Sequence, residues 1–271
     1  MSRITDTFAR LKTEGRRALI PFIMAGDPDL RTTRELVVEL AKSGADIIEL
    51  GVPFSDPIAD GPVIQRASMR ALLNPMGVSQ VLEVVSDARR ETDVPVILFS
   101  YLNPLLRFGA ERLGREAARA GVDGLLVTDL TPDEYDGFYE AMTANGLDSI
   151  CLAAPTSTDK RLRLIAERAK GFIYAVSRTG VTGARAEMSS DAEALVSRLR
   201  SVTDLPVAVG FGISSAKQVA DVWRYADGAV VGSAIVAEME RRAGEPGFVS
   251  SMGQFTRGLL PASDNSQITD V

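Results

Sequence analysis

Eight short runs of small and branched apolar residues, parted by longer amphipathic stretches, constrain the fold of this chain more than any other feature. They are ALIPFIM (18–24), DIIELG (46–51), PVILFSY (95–101), GLLVTD (124–129), SICLAA (149–154), FIYAVS (172–177), PVAVGF (206–211) and GAVVGS (228–233). Each is apolar at nearly every position rather than at every second one. That pattern belongs to strands buried on both faces of a parallel sheet. Between the runs, segments such as LRTTRELVVELAKSG (30–44) and SQVLEVVSDARRE (79–91) repeat their apolar residues at three- and four-residue spacing, which reads as helix. Gly44, Gly121 and Gly146 stand where C-terminal helix caps belong. Alternating strands and helices imply βαβ units with right-handed crossovers. Eight units that end shortly before the C-terminus fit a closed barrel better than an open sheet.

The reading is therefore an α/β fold, a single-domain (β/α)8 barrel over residues 1–262. The chain has 271 residues, and barrels of about 250 residues commonly form one domain. Residues 2–15 precede the first run and read as an extra helix plugging the barrel bottom. The polar tail 263–271 is expected to fray. Two connections are oversized: residues 52–78, with room for an extra helix, and RTGVTGARAEMSS (178–190). Both follow strands, so both lie on the C-terminal face, where barrels place their active sites.

Composition removes several kinds of function. The net charge of −6 argues against a nucleic-acid surface. No window approaches the length of a membrane span. The single cysteine, Cys151, makes no intrachain disulfide; with no secretory segment read at the N-terminus, a reducing cytoplasm is expected. The chain contains no histidine, which excludes His-dependent nucleophilic triads and His metal ligands. Acid–base chemistry falls to Asp, Glu, Lys, Tyr or Cys.

Two carboxylates stand out. Glu49 sits near the end of an apolar strand, where a charged residue is rarely buried without a partner. It is either hydrogen-bonded to backbone or an acid–base group with a raised pKa. Asp60 follows in the Pro- and Gly-shaped loop FSDPIADGP and is either a helix cap or a second cavity carboxylate. Gly-containing turns follow strand 7 (GFGIS, 210–214) and strand 8 (GSAIV, 232–236), each leading into a helix. Barrels often bind phosphate at that pair of turns, through backbone N–H groups and a helix N-terminus; simple tight turns are the alternative. No nucleotide P-loop motif is present. Tyr101, Asp129 and Tyr174 lie at strand ends and face the cavity or serve as packing and caps. Trp223 reads as part of the outer helical layer, and Cys151 as a buried, inert thiol.

The segments PFIMAGDP (21–28) and ADIIELGVPFSDPIADGPVIQRASMRAL (45–72), followed in order by SYLNP (100–104), GVDGLLVTDL (121–130), APTSTDKRL (154–162), FIYAVSRTGVTGAR (172–185), VGFGISS (209–215) and DGAVVGSAIV (227–236), resemble the tryptophan synthase α-chain family. The likeness covers nearly the whole chain, and its long central motif is specific. Leu102 departs from it, where many members carry a second aromatic side chain.

The resemblance implies a carbon–carbon lyase of tryptophan biosynthesis, splitting indole-3-glycerol phosphate into indole and D-glyceraldehyde 3-phosphate. It implies Glu49 as general acid and base, and Asp60 as acceptor of the indole N–H. Phe22, Tyr101, Val127, Asp129, Tyr174 and Phe211 would surround the indole. Gly183, Gly212, Gly232 and Ser233 would hold the phosphate, and Arg178 and Thr182 would close a loop over the site. No metal or organic cofactor is implied for this chain. Pyridoxal phosphate would belong to a partner β chain in an αββα heterotetramer, touched through loop 52–60. A barrel kept only to gate a partner is the competing reading; isomerase chemistry of the kind that needs an electrophilic His is disfavoured by its absence.

Overall fold

The computed structural model describes residues 2–134, 136–176, 185–210 and 212–261. Eight parallel strands, β1 (Ala18–Met24), β2 (Ile48–Gly51), β3 (Val96–Ser100), β4 (Gly124–Val127), β5 (Asp148–Ala153), β6 (Ile173–Val176), β7 (Val207–Gly210) and β8 (Gly228–Val231), pair in sequence order and close into a barrel, β8 against β1. Seven fall inside the apolar runs of the sequence, and β5 begins one residue before its run, at Asp148. Around them lie α1 (Arg3–Thr13), α2 (Leu30–Lys42), α3 (Pro62–Ala71), α4 (Val78–Ala88), α5 (Leu102–Phe108), α6 (Ala110–Ala120), α7 (Asp136–Ala144), α8 (Asp159–Arg168), α9 (Arg185–Arg200), α10 (Ala216–Trp223), α11 (Ser233–Arg242) and α12 (Phe248–Arg257).

The strands bury both faces because they serve two cores. Outward residues such as Leu19, Ile48, Leu50, Leu98 and Leu125 pack under the helices. Inward residues Ile20, Ile47, Ile97, Leu126, Ile150 and Val230 fill the barrel, joined from below by Ile4, Phe8 and Leu11 of α1. The expected plug is therefore present. Ser2 caps it by accepting from the Thr5 N–H, and Phe8 meets Phe172 at 5.6 Å between ring centroids. Gly121 ends α6 in the left-handed region at φ +89°, where a Cβ would be strained.

The N-terminal mouth is closed by answered charges. Asp46, Asp123 and Asp227 each accept a backbone N–H at the start of a neighbouring strand, from Leu19 (3.0 Å), Val96 (2.8 Å) and Val207 (2.8 Å). Arg89 and Arg3 also bind Asp123, at 2.6 and 2.8 Å, and Arg200 binds Asp227. Trp223 belongs to the outer layer and donates its indole N–H to the Ala18 carbonyl at 3.1 Å. Cys151 is buried, which pushes its thiol up to about 11. Among the described residues no helix is long and apolar enough to cross a membrane, and no cluster of His, Cys, Asp and Glu could hold a metal. The tail beyond Pro261 lies outside the described residues.

Candidate active site

Glu49 enters the barrel because β2 alternates. Its neighbours Ile48 and Leu50 face the helices, so Ile47 and Glu49 point inward, Glu49 in register with Phe22 of β1 and Ile97 of β3. Only 1% of Glu49 is exposed, and its Oε1 finds no hydrogen-bond partner among the described residues. The alternative of a backbone-satisfied carboxylate is therefore not realised. Removal from water raises its pKa to about 8, because an ionised carboxylate loses more solvation than a neutral acid. At neutral pH Glu49 holds a proton and can donate it.

Asp60 reaches the same space from the loop between β2 and α3. The loop is pinned at both ends. Ser68 accepts from the Phe54 N–H and donates to the Phe54 carbonyl, both at 2.9 Å. The Ala59 N–H donates to the Tyr101 hydroxyl at 2.9 Å, and Tyr101 stacks on Phe54 at 5.2 Å. The residue capping α3 is Gly61, with Pro62 in the first turn and no side-chain cap. Asp60 is thus not spent on the helix, as the alternative reading had it. Burial pushes its pKa up to about 6, with the Tyr101 hydroxyl acting in the opposite direction. One cavity therefore contains two carboxyls with well-separated proton affinities, the arrangement that lets one act as acid while the other stays ionised.

Tyr174 lines the same cavity. Its ring points inward from β6, and its pKa is raised first by burial and then by the charges of Glu49 and Asp60. Gly210 makes that position available: a Cβ there would lie 1.9 Å from the Tyr174 hydroxyl oxygen. The opposite wall is the pair of turns after β7 and β8. Gly212 adopts φ +74°. Gly232 is the N-cap of α11 and offers no side-chain cap. The first-turn N–H groups of α11 lack intrahelical acceptors, so this helix end can receive an anion. Phe22, Glu49, Asp60, Gly61, Ile64, Phe99, Tyr174, Gly212, Val230, Gly232 and Ser233 line one cavity of about 650 Å³, its open mouth included, a size suited to a small organic molecule.

The model of the tryptophan synthase alpha chain family matches residues 8–254. The chain belongs to that family. Among relatives, the tryptophan synthase alpha chain of Citrifermentans bemidjiense is 50% identical over 269 residues, covering 97% of this chain and all of the relative. That of Solibacter usitatus is 49% identical, covering 96% and 97%. Tryptophan synthase subunit alpha from Legionella pneumophila superposes with a TM-score of 0.88 at 37% identity, covering 96% of this chain and 97% of that one.

Membership invites a comparison of the residues it implies with where they lie. Phe22, Glu49, Asp60, Tyr174, Gly212, Gly232 and Ser233 share the cavity. Tyr101 stands behind it and holds loop 52–60. Val127 and Asp129 are corrected. Along β4, Leu126 enters the barrel, which sends Val127 outward into the core beneath the helices. Asp129 is exposed and accepts the Leu102 N–H at 2.7 Å, capping the start of α5. Arg178, Thr182, Gly183 and Phe211 lie outside the described residues. The expected set lacked Phe99 and Ile64, which line the cavity. Phe99 packs edge-on against Phe22 at 5.2 Å. It stands two residues beyond the inward Ile97, so strand parity would have found it once that register was known.

Proposed function

We propose that this chain, as a tryptophan synthase α subunit, cleaves indole-3-glycerol phosphate to indole and D-glyceraldehyde 3-phosphate. The observation that carries the reading is the pair of cavity carboxyls, one held protonated near pH 7 and the other ionised, opposite a helix end open to phosphate. Glu49 gives its proton to the ring carbon that bears the glycerol chain, and the indole becomes an indolenine cation. Asp60 accepts the N–H and stabilises the positive charge as it develops. Glu49, now a carboxylate, removes the proton of the adjacent glycerol hydroxyl. The carbon–carbon bond breaks, its electron pair returns to the ring to restore indole, and the former hydroxyl carbon becomes the aldehyde. Glu49 ends protonated, ready for another turnover.

Phe22, Phe99 and Tyr174 would form the walls around the indole, and Gly212, Gly232 and Ser233 would hold the phosphate. Arg178, Thr182 and Gly183 would belong to a loop that closes over the ligand. The partner fits the same rim. Ile58, on the Asp60 loop, is 87% exposed, and Met69 and Leu73 are exposed at the far end of α3 and just beyond. An apolar side chain left in water on the Asp60 loop supports docking of a β chain there, within an αββα assembly. Pyridoxal phosphate would be that partner's cofactor, and released indole would pass to it. The working compartment is the cytoplasm.

The test is indole release by the isolated chain and by Glu49→Gln. The variant should lose at least about 10³-fold in kcat, the scale of an essential acid–base group, while still binding glycerol 3-phosphate. Turnover near that of the parent chain would remove Glu49 from the mechanism.

A further inference from the structure

Helices α3 and α11 each begin at the cavity, α3 with Gly61 and Ile64 on its wall and α11 with Gly232 and Ser233. Neither start is fixed by a side-chain cap. Their relative placement must be set elsewhere. Beneath them, Ala67, Ala71 and Val236 pack on Phe22 and Met24 of β1. Alanines allow close approach but give a smooth contact that resists sliding poorly.

Farther back the two helices are joined by directional bonds. Arg70 grips Asp27 with both ends of its guanidinium, Nε to Oδ1 at 2.9 Å and Nη2 to Oδ2 at 2.7 Å. Its third group, Nη1, donates to Glu240 of α11 at 2.8 Å. Arg66, one turn earlier on α3, binds both oxygens of Glu240 at 2.8 and 2.7 Å. Asp27 is 3% exposed and lies on the loop after β1, the strand that carries Phe22. Three elements that meet at the cavity are thus tied together behind it. At 1.5 Å of rise per residue, Arg66, Arg70 and Glu240 stand roughly 6, 12 and 10 Å from the cavity ends of their helices, so a small rotation at the ties displaces Asp60 relative to the phosphate turn.

We propose that Asp27, Arg66, Arg70 and Glu240 form a clamp that sets Asp60 against the phosphate-holding turn, with Arg70 as a positioning residue for the lyase reaction. The clamp rests on that reading of the cavity. It acts through geometry and touches no substrate. A planar guanidinium supplies bidentate bonds that a lysine ammonium cannot reproduce. Arg70→Lys therefore keeps the charge beside Asp27 and removes the geometry.

The experiment measures kcat, the pH profile of kcat and the affinity for glycerol 3-phosphate in the parent chain, Arg70→Lys, Glu240→Gln and the double variant. Arg70→Lys should lower kcat by about tenfold or more, since displacements of about 1 Å cost that much or worse, with phosphate affinity unchanged. The acid limb of the profile should move to lower pH as Asp60 gains solvent. Glu240→Gln should give a smaller loss in the same direction, and the double variant should be little worse than Arg70→Lys alone, because members of one network are not additive. Parent-level kcat with an unmoved acid limb in both single variants overturns the clamp. If Arg70→Lys fails to fold, Glu240→Gln decides by the same two readouts. A parent chain that releases no indole overturns the lyase reading instead, so the two failures are distinguishable.

Discussion

At the N-terminal mouth of the barrel Asp46, Asp123 and Asp227 each hold a backbone N–H of a neighbouring strand and face arginines, whereas at the C-terminal mouth Glu49 has an oxygen with no partner and Asp60 caps no helix. The same side-chain chemistry serves opposite ends. Below, burial of charge is answered by fixed donors, and the carboxylates stitch strand to strand. Above, Glu49 Oε1 has no partner among the described residues and Asp60 is opposed only by the Tyr101 hydroxyl, so burial prevails and raises the proton affinity of both groups. Burial raises the pKa of Asp46 as well, but its backbone donor and two arginines pull it back, a counterweight that Glu49 lacks.

The comparison sharpens through variants. The largest expected effect is on stability at the upper mouth. An unfolded Glu49 would titrate near 4.5 and the folded one near 8, so between these values the folded chain keeps a proton that the unfolded chain has released. The stability linked to this group is full below about 4.5 and falls as pH rises toward about 8. Glu49→Gln removes the slope. At pH 7 the variant should be more stable than the parent by on the order of 3 kcal/mol, and the two should converge at pH 4.5, as denaturant melts at both pH values will check.

Next comes the lower mouth. Asp46→Ala leaves the buried Leu19 N–H without its acceptor and should cost about 1–3 kcal/mol of stability, with kcat unchanged. A kcat that falls while the fold is intact would break the division between the two mouths. The smallest effect is expected from Tyr101→Phe. The Tyr101 hydroxyl lowers the pKa of Asp60, and Asp60 works as a carboxylate. Its loss should shift the acid limb of the kcat profile to higher pH and reduce turnover at pH 7 by a few-fold, a modest change next to full removal of an acid–base group. An acid limb that stays in place would detach Tyr101 from Asp60.

The barrel was legible because its strands are apolar on both faces, and the plug because Ile4, Phe8 and Leu11 fall on one side of a short helix. The same two-sided burial hid the cavity walls. A run such as GLLV carries no alternation, so nothing in the letters says whether Leu126 or Val127 points inward. The shear of the closed barrel decides that. Phe99 was missed for the same reason. Glu49 was found because it is a charge flanked by apolar residues on both sides within its run, a contrast that survives without coordinates. The bonds of Arg66 and Arg70 to Glu240 span 174 and 170 residues and leave no local trace.

Glu49 stays protonated at neutral pH because burial leaves its Oε1 without a partner among the described residues. Infrared difference spectra of the parent chain against Glu49→Gln, recorded across pH, would observe the carboxylic C=O directly. A protonated-carboxyl band present at pH 7 and lost with a midpoint of about 8 is the expected result. A Glu49 already ionised at pH 6 would contradict it.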